Sequence, residues 1–96
     1  MNQNDHIKSG VYRHYKGKEY DVYGAAIQSG TEDSEQPVWS VIYRPRWGQR
    51  RLTYRLEQEF LELVNVNGTL VPRFIFVRCF DEDEADAKIV SSLLSV

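Results

Sequence analysis

The chain has 96 residues, is 42% hydrophobic and 27% charged, and carries a formal net charge of −2. That size gives one domain with a single core, and that charge gives no strong global attraction to nucleic acid or to an anionic membrane surface. The longest unbroken apolar run, Phe74-Ile-Phe-Val77, is far short of the roughly 20 residues of a spanning helix, and a lone Cys79 builds neither an internal disulfide nor a paired-thiol motif.

Met1 to Ser9 read as a polar lead-in without the apolar segment of a secretion signal, so a cytoplasmic location is expected. Val11 to Tyr15 and Glu19 to Ile27 are rich in Tyr and Val and flank Lys16-Gly-Lys18, which predicts an antiparallel hairpin. Gly24 inside its second strand predicts a bend or bulge. Ser29 to Gln36 is a polar loop, and Pro37 opens a strand from Val38 to Arg44. Pro45 and Gly48 bracket a turn carrying Trp47, followed by a strand at about Arg50 to Arg55. Leu56 to Leu61 suits one helical turn. Leu63 to Val66 and Thr69 to Val77 flank Asn67-Gly68, the strongest hairpin signal in the chain, with Pro72 expected at an edge or bulge.

The end of the chain is of another kind. Asp81 or Asp83 can cap a helix whose early acids suit its positive end, and Ile89, Val90, Leu93 and Leu94 fall on one face of it. These elements predict a mainly β protein: a small, strongly curved antiparallel sheet or SH3-like barrel with one helical turn and a C-terminal α-helix. The expected organisation is a lead-in over 1–9, the β domain over 10–80, and a helix over 81–96 packed on it.

Three stretches, Tyr12-Arg-His-Tyr-Lys-Gly-Lys-Glu-Tyr-Asp-Val22, Val41-Ile-Tyr-Arg44 with Gly48, and Phe60-Leu-Glu62 with Val71-Pro-Arg-Phe74, together resemble the bacterial Domain of Unknown Function 1653 family over about residues 10–77. Two segments depart from its pattern. Thr53-Tyr-Arg-Leu56 stands where the family tends to Trp-x-Arg-Pro, and Gln28-Ser-Gly-Thr-Glu32 where it tends to His-Ser-Glu-Thr. The resemblance implies a bacterial domain and supplies no activity.

Two groups of side chains are candidates for binding. The first is Tyr12, His14 and Lys16, which alternation puts on one face of the first strand, with Arg55, Arg73 and Phe74 from the family-like stretches. One of these arginines is expected among Tyr12, Tyr20 and Phe74, held by a carboxylate such as Asp21 or Glu62. A fixed guanidinium fork there suits an anion or carboxylate, and a paired structural arginine is the plainer reading. The second group is Arg44, Arg46, Trp47, Arg50 and Arg51, flanked by Tyr43 and Tyr54. Arginine with aromatic faces is the chemistry of single-strand binding, whereas a solvated basic edge, partly paired with Glu57 or Glu59, is its structural counterpart.

No nucleophile elbow or phosphate loop is present. One cysteine and two histidines make no zinc set, and the acidic run from Asp81 to Asp86 lacks the turn glycine of a calcium loop. No metal or cofactor is expected. The leading expectation is a non-catalytic module that uses an aromatic and arginine face for an anionic ligand, peptide or nucleic acid, away from membranes. A structural or protein-interaction domain, with a homodimer as one form of it, is the alternative. A small enzyme using His14 with Arg55 and Arg73 ranks third.

Overall fold

The computed structural model describes residues 7–81. In chain order they form β1 (Gly10–His14), β2 (Glu19–Ile27), β3 (Trp39–Pro45), β4 (Thr53–Leu56), the helical turn α1 (Glu57–Phe60), β5 (Leu63–Val66), β6 (Thr69–Pro72) and β7 (Phe74–Arg78). A five-stranded antiparallel sheet runs β4-β3-β2-β1-β7, and β5 and β6 make a separate two-stranded ribbon. The protein is mainly β, as the alternation of Tyr and Val requires.

Both tight turns form where Gly allows them. Gly17 donates to the His14 carbonyl at 2.7 Å, and His14 donates to the Lys18 carbonyl at 2.8 Å, closing the first hairpin. Asn67 (φ 52°) and Gly68 (φ 87°) are successive left-handed residues, the requirement of the turn that matches strand twist.

A bulge in β2 decides which side chains meet. The register steps from Val22 opposite Tyr43 to Gly24 opposite Ile42, so Val22 and Ala25 both lie on the face of Tyr43 and Val41. Without the extra residue, period-two alternation would send them to opposite faces. This face is the core. Phe60 is 1% exposed and stacks on Phe74 with centroids 4.0 Å apart, and Tyr12 and Tyr43 meet its ring edge-on at 5.7 and 5.5 Å. Four residues are too few to hold a helix alone; burial of Phe60 is what fixes α1. On the other face Val11, Asp21 and Tyr23 are also buried.

Three expectations need correction. The sheet does not close into a barrel: β4 pairs only with β3 and β7 only with β1, leaving two edges. The reason is that β4 ends after four residues as the chain turns into α1, and the β5–β6 ribbon forms its own sheet rather than bridging the gap. The strand expected over Thr69 to Val77 is divided at Arg73 into β6 and β7, which belong to different sheets. Pro72 lacks the N–H that would extend the ladder, and Arg73 donates its own N–H to the Glu62 carbonyl while its carbonyl accepts from Tyr15. The strand expected from Arg50 begins at Thr53, because Arg50 takes φ 52° inside a longer turn. The expected C-terminal helix with Ile89, Val90, Leu93 and Leu94 lies outside the described residues, as does the lead-in before Ile7.

Candidate functional site

The hairpin of β1 and β2, the Trp47 turn, the end of β4 and the start of β7 bring a second layer of aromatic and cationic groups against the rim of the core. Tyr20 is at its centre. Its ring meets Trp47 at 4.8 Å, Phe74 at 5.4 Å and Tyr43 at 5.5 Å, all edge-on, with the His14 ring 6.3 Å away. Edge-to-face packing sets the positive rim of one ring against the negative face of the next. Lys18 Nζ is 4.7 Å from the Trp47 centroid, within cation–π range.

His14 is half-buried, edge-on to Phe74 at 5.0 Å and tilted against Tyr15 at 4.5 Å. Its Nδ1 accepts from the Lys16 backbone N–H at 3.1 Å, so the neutral ring carries its proton on Nε2. Burial, and then the nearby charges of Lys16, Arg73 and Arg55, lower its pKa from 6.5. Burial and the neighbouring Tyr43 raise that of Tyr20, against the opposing pull of Arg55.

The two arginines of this region are held differently. Arg73 donates through Nη2 to Glu62 at 2.7 Å and through Nε to the Glu59 carbonyl at 3.1 Å. Half-buried Arg55 donates through Nε to the Tyr43 hydroxyl at 3.5 Å and makes no carboxylate contact within 4.0 Å among the described residues. The Tyr43 bond is the largest influence on the Arg55 pKa and raises it; desolvation opposes that rise, and the charges of Tyr43, Glu59 and Tyr20 add to it. Its two Nη groups therefore remain available as donors.

The first predicted group is thus only partly gathered. His14, Lys16, Arg55 and Arg73 share one electrostatic neighbourhood. Tyr12 and Phe74 are buried core residues, and the Tyr12 hydroxyl donates to the Lys8 carbonyl at 2.7 Å. Tyr20 and Tyr43 belong to the neighbourhood but stood outside the predicted ligand set. Cross-strand pairing of Tyr20 with Tyr12 was the available signal for the first.

The second group breaks apart. Trp47 joins Tyr20, whereas Arg46 and Arg50 reach the opposite face and converge on Asp21, at 2.5 Å to Oδ1 and 3.3 Å to Oδ2. The Asp21 side chain is 2% exposed, so it is a buried carboxylate answered by two cations, as burial of a charge demands. This is the acid that the arginine-rich stretch itself lacks, and it comes from β2 rather than from Glu57 or Glu59. Arg44 lies 5.7 Å from the Tyr23 centroid, and exposed Arg51 donates to Gln49 Oε1 at 2.7 Å. Tyr54 is 74% exposed. Elsewhere, an open groove of about 300 Å³ lined by Gln36, Pro37, Trp39, Leu56 and Gln58 includes none of the predicted site residues. No helix among the described residues is long and apolar enough to cross a membrane.

An open antiparallel sheet over stacked rings, rimmed by arginine and tyrosine, defines a small mainly β domain. The chain belongs to the family described as protein of unknown function, DUF1653, whose pattern matches residues 10–76. It is similar to a crystal structure of a protein belonging to that family from Bordetella bronchiseptica, with a TM-score of 0.65 and 28% identity over 81% of this chain and 96% of that one. No curated protein matches it.

Proposed function

We propose that the domain is a non-catalytic binding module whose aromatic and arginine face takes an anionic ligand. The observation that carries this reading is Arg55: a half-buried guanidinium bonded to a tyrosine hydroxyl, with no carboxylate partner in reach among the described residues and two Nη groups free. A buried or half-buried cation is ordinarily answered by an anion, as Asp21 answers Arg46 and Arg50. At Arg55 that anion comes from solution. The charged groups that act on His14 beside it, Lys16, Arg73 and Arg55, are all cationic donors, which favours a ligand that accepts.

Nucleic-acid binding through the Arg44 to Arg51 stretch has weaker support, because Arg46 and Arg50 are committed to Asp21. An enzyme has less still: neutral His14 spends Nδ1 on the backbone rather than on a carboxylate that would make it a base. The test is a 1H–15N NMR titration at constant ionic strength with benzoate, inorganic phosphate and an oligothymidylate in turn. Shifts from at least one probe, clustered at Tyr20, Tyr43 and Arg55 and lost in Arg55→Ala, are expected. Absence of site-specific shifts with all three overturns the reading.

A further inference from the structure

The geometry points to a planar aromatic carboxylate, a monoanion, as the ligand class: its ring against Trp47 and Tyr20, its carboxylate on the two free Nη groups of Arg55. This rests on the anion-binding reading above and narrows it.

The first argument is hydrogen-bond polarity. Lys16 N–H on His14 Nδ1 fixes a neutral ring that presents Nε2–H, and the Tyr43 hydroxyl occupies Arg55 Nε. What remains of the guanidinium is its Nη pair, a planar two-pronged donor that matches the two oxygens of a carboxylate.

The second is charge balance. Arg55 and Arg73 stand close to Glu59 and Glu62: Glu59 acts on Arg55, and Glu62 is bound by Arg73 at 2.7 Å. The inner part of the site therefore holds one guanidinium, Arg55, without a carboxylate contact within 4.0 Å among the described residues, and exposed Lys16 and Lys18 add positive charge from the rim. One negative charge matches the one guanidinium that lacks a carboxylate contact, whereas the second charge of a phosphate or phosphonate has only exposed Lys16 and Lys18 to answer it and no Gly-rich backbone cradle.

The third is the ring wall. Trp47 is 38% exposed and sits edge-on to Tyr20 at 4.8 Å. Its turn is held from behind by Asp21 through Arg46 and Arg50, the residues on either side of it. An indole whose turn is tied to a buried carboxylate on the far face, with the Lys18 ammonium 4.7 Å from its centroid, is a prepared surface where a flat ring that displaces the lysine meets a wall already in place, which lowers the ordering cost of binding.

The test uses the full chain at pH 7.5 and four probes: benzoate, benzamide as its neutral counterpart, cyclohexanecarboxylate as its saturated counterpart, and phenylphosphonate as a dianion. Affinities are read from NMR titration and from tryptophan fluorescence, with Trp39→Phe isolating the Trp47 signal. Benzoate is expected to bind about tenfold or more tighter than each of the other three, a gap of about 1.4 kcal/mol. Arg55→Lys, which keeps the charge but not the fork, is expected to lose about tenfold in benzoate affinity, and Trp47→Ala a similar factor. Phenylphosphonate or cyclohexanecarboxylate binding as tightly as benzoate overturns the ligand class while leaving anion binding intact. Full benzoate affinity in both Arg55→Lys and Trp47→Ala overturns the assigned pose, and failure of every anion to bind removes the underlying reading as well. Arg55→Lys carries the result if a larger truncation at that position does not fold.

Discussion

The two faces of the five-stranded sheet each hold arginines over tyrosines, yet they treat the charge in opposite ways. On one, Arg46 and Arg50 close on a carboxylate whose side chain is 2% exposed, and the group is complete within the chain. On the other, Arg55 rests on a tyrosine hydroxyl and has no carboxylate within 4.0 Å among the described residues. Arginine content alone marks neither face as functional. The arrangement of partners separates a structural clasp from a receptor.

The comparison breaks most severely if the common foundation goes. Phe60→Ala removes the ring on which Tyr12, Tyr43 and Phe74 converge, and a loss of about 3–5 kcal/mol is expected in urea denaturation. A next, sharper contrast lies between the arginines. Arg46→Ala leaves buried Asp21, among the described residues, with the longer Arg50 contact at 3.3 Å and is expected to cost about 2 kcal/mol. Arg55→Ala gives up one weak bond and is expected to cost under about 1 kcal/mol while abolishing anion binding. Equal destabilisation by both would erase the distinction between the faces.

Acidification is a finer probe. Burial, followed by Lys16, Arg73 and Arg55, holds the native His14 pKa below 6.5. The unfolded chain then binds a proton that the native chain refuses, so His14 contributes stability fully present above about pH 6.5 and lost as pH falls through the native pKa. Denaturation at pH 7.5 and 5.5 is expected to show that decline in the wild type and a shallower one in His14→Phe. The smallest effect belongs to Arg51, whose partner is exposed Gln49: Arg51→Ala is expected to stay within about 0.5 kcal/mol and to leave ligand affinity unchanged.

The two tight hairpins were legible because their turns announce themselves, whereas the order of the five-stranded sheet was not. Lys16-Gly-Lys18 and Asn67-Gly68 predict hairpins on local chemistry alone, and Gly24 predicts the bulge that regroups Val22 with Ala25. The split at Arg73 was only partly legible: Pro72 predicts an edge or bulge within the β-prone run from Thr69 to Val77, but the long-range bonds of Arg73 to Glu62 and Tyr15 that divide it are not local. Barrel closure failed for a related reason: strand patterns carry no record of which edges stay unpaired. In the site, the Arg73–Glu62 pair was among the sequence-level alternatives, while Asp21 was assigned to the wrong arginines. Alternation put Asp21 opposite Tyr20's face, but nothing local indicated that the Trp47 turn would reach around the ribbon to meet it.

Arg73 joins parts that otherwise share little backbone bonding. Its N–H goes to the residue preceding β5, its carbonyl takes the N–H that follows β1, and its side chain spans the end of α1. Residue 73 is thus a rivet between two sheets that would otherwise move as separate plates. Loosening it should let the Asn67-Gly68 ribbon breathe independently, raising amide exchange there before any strand of the larger sheet responds.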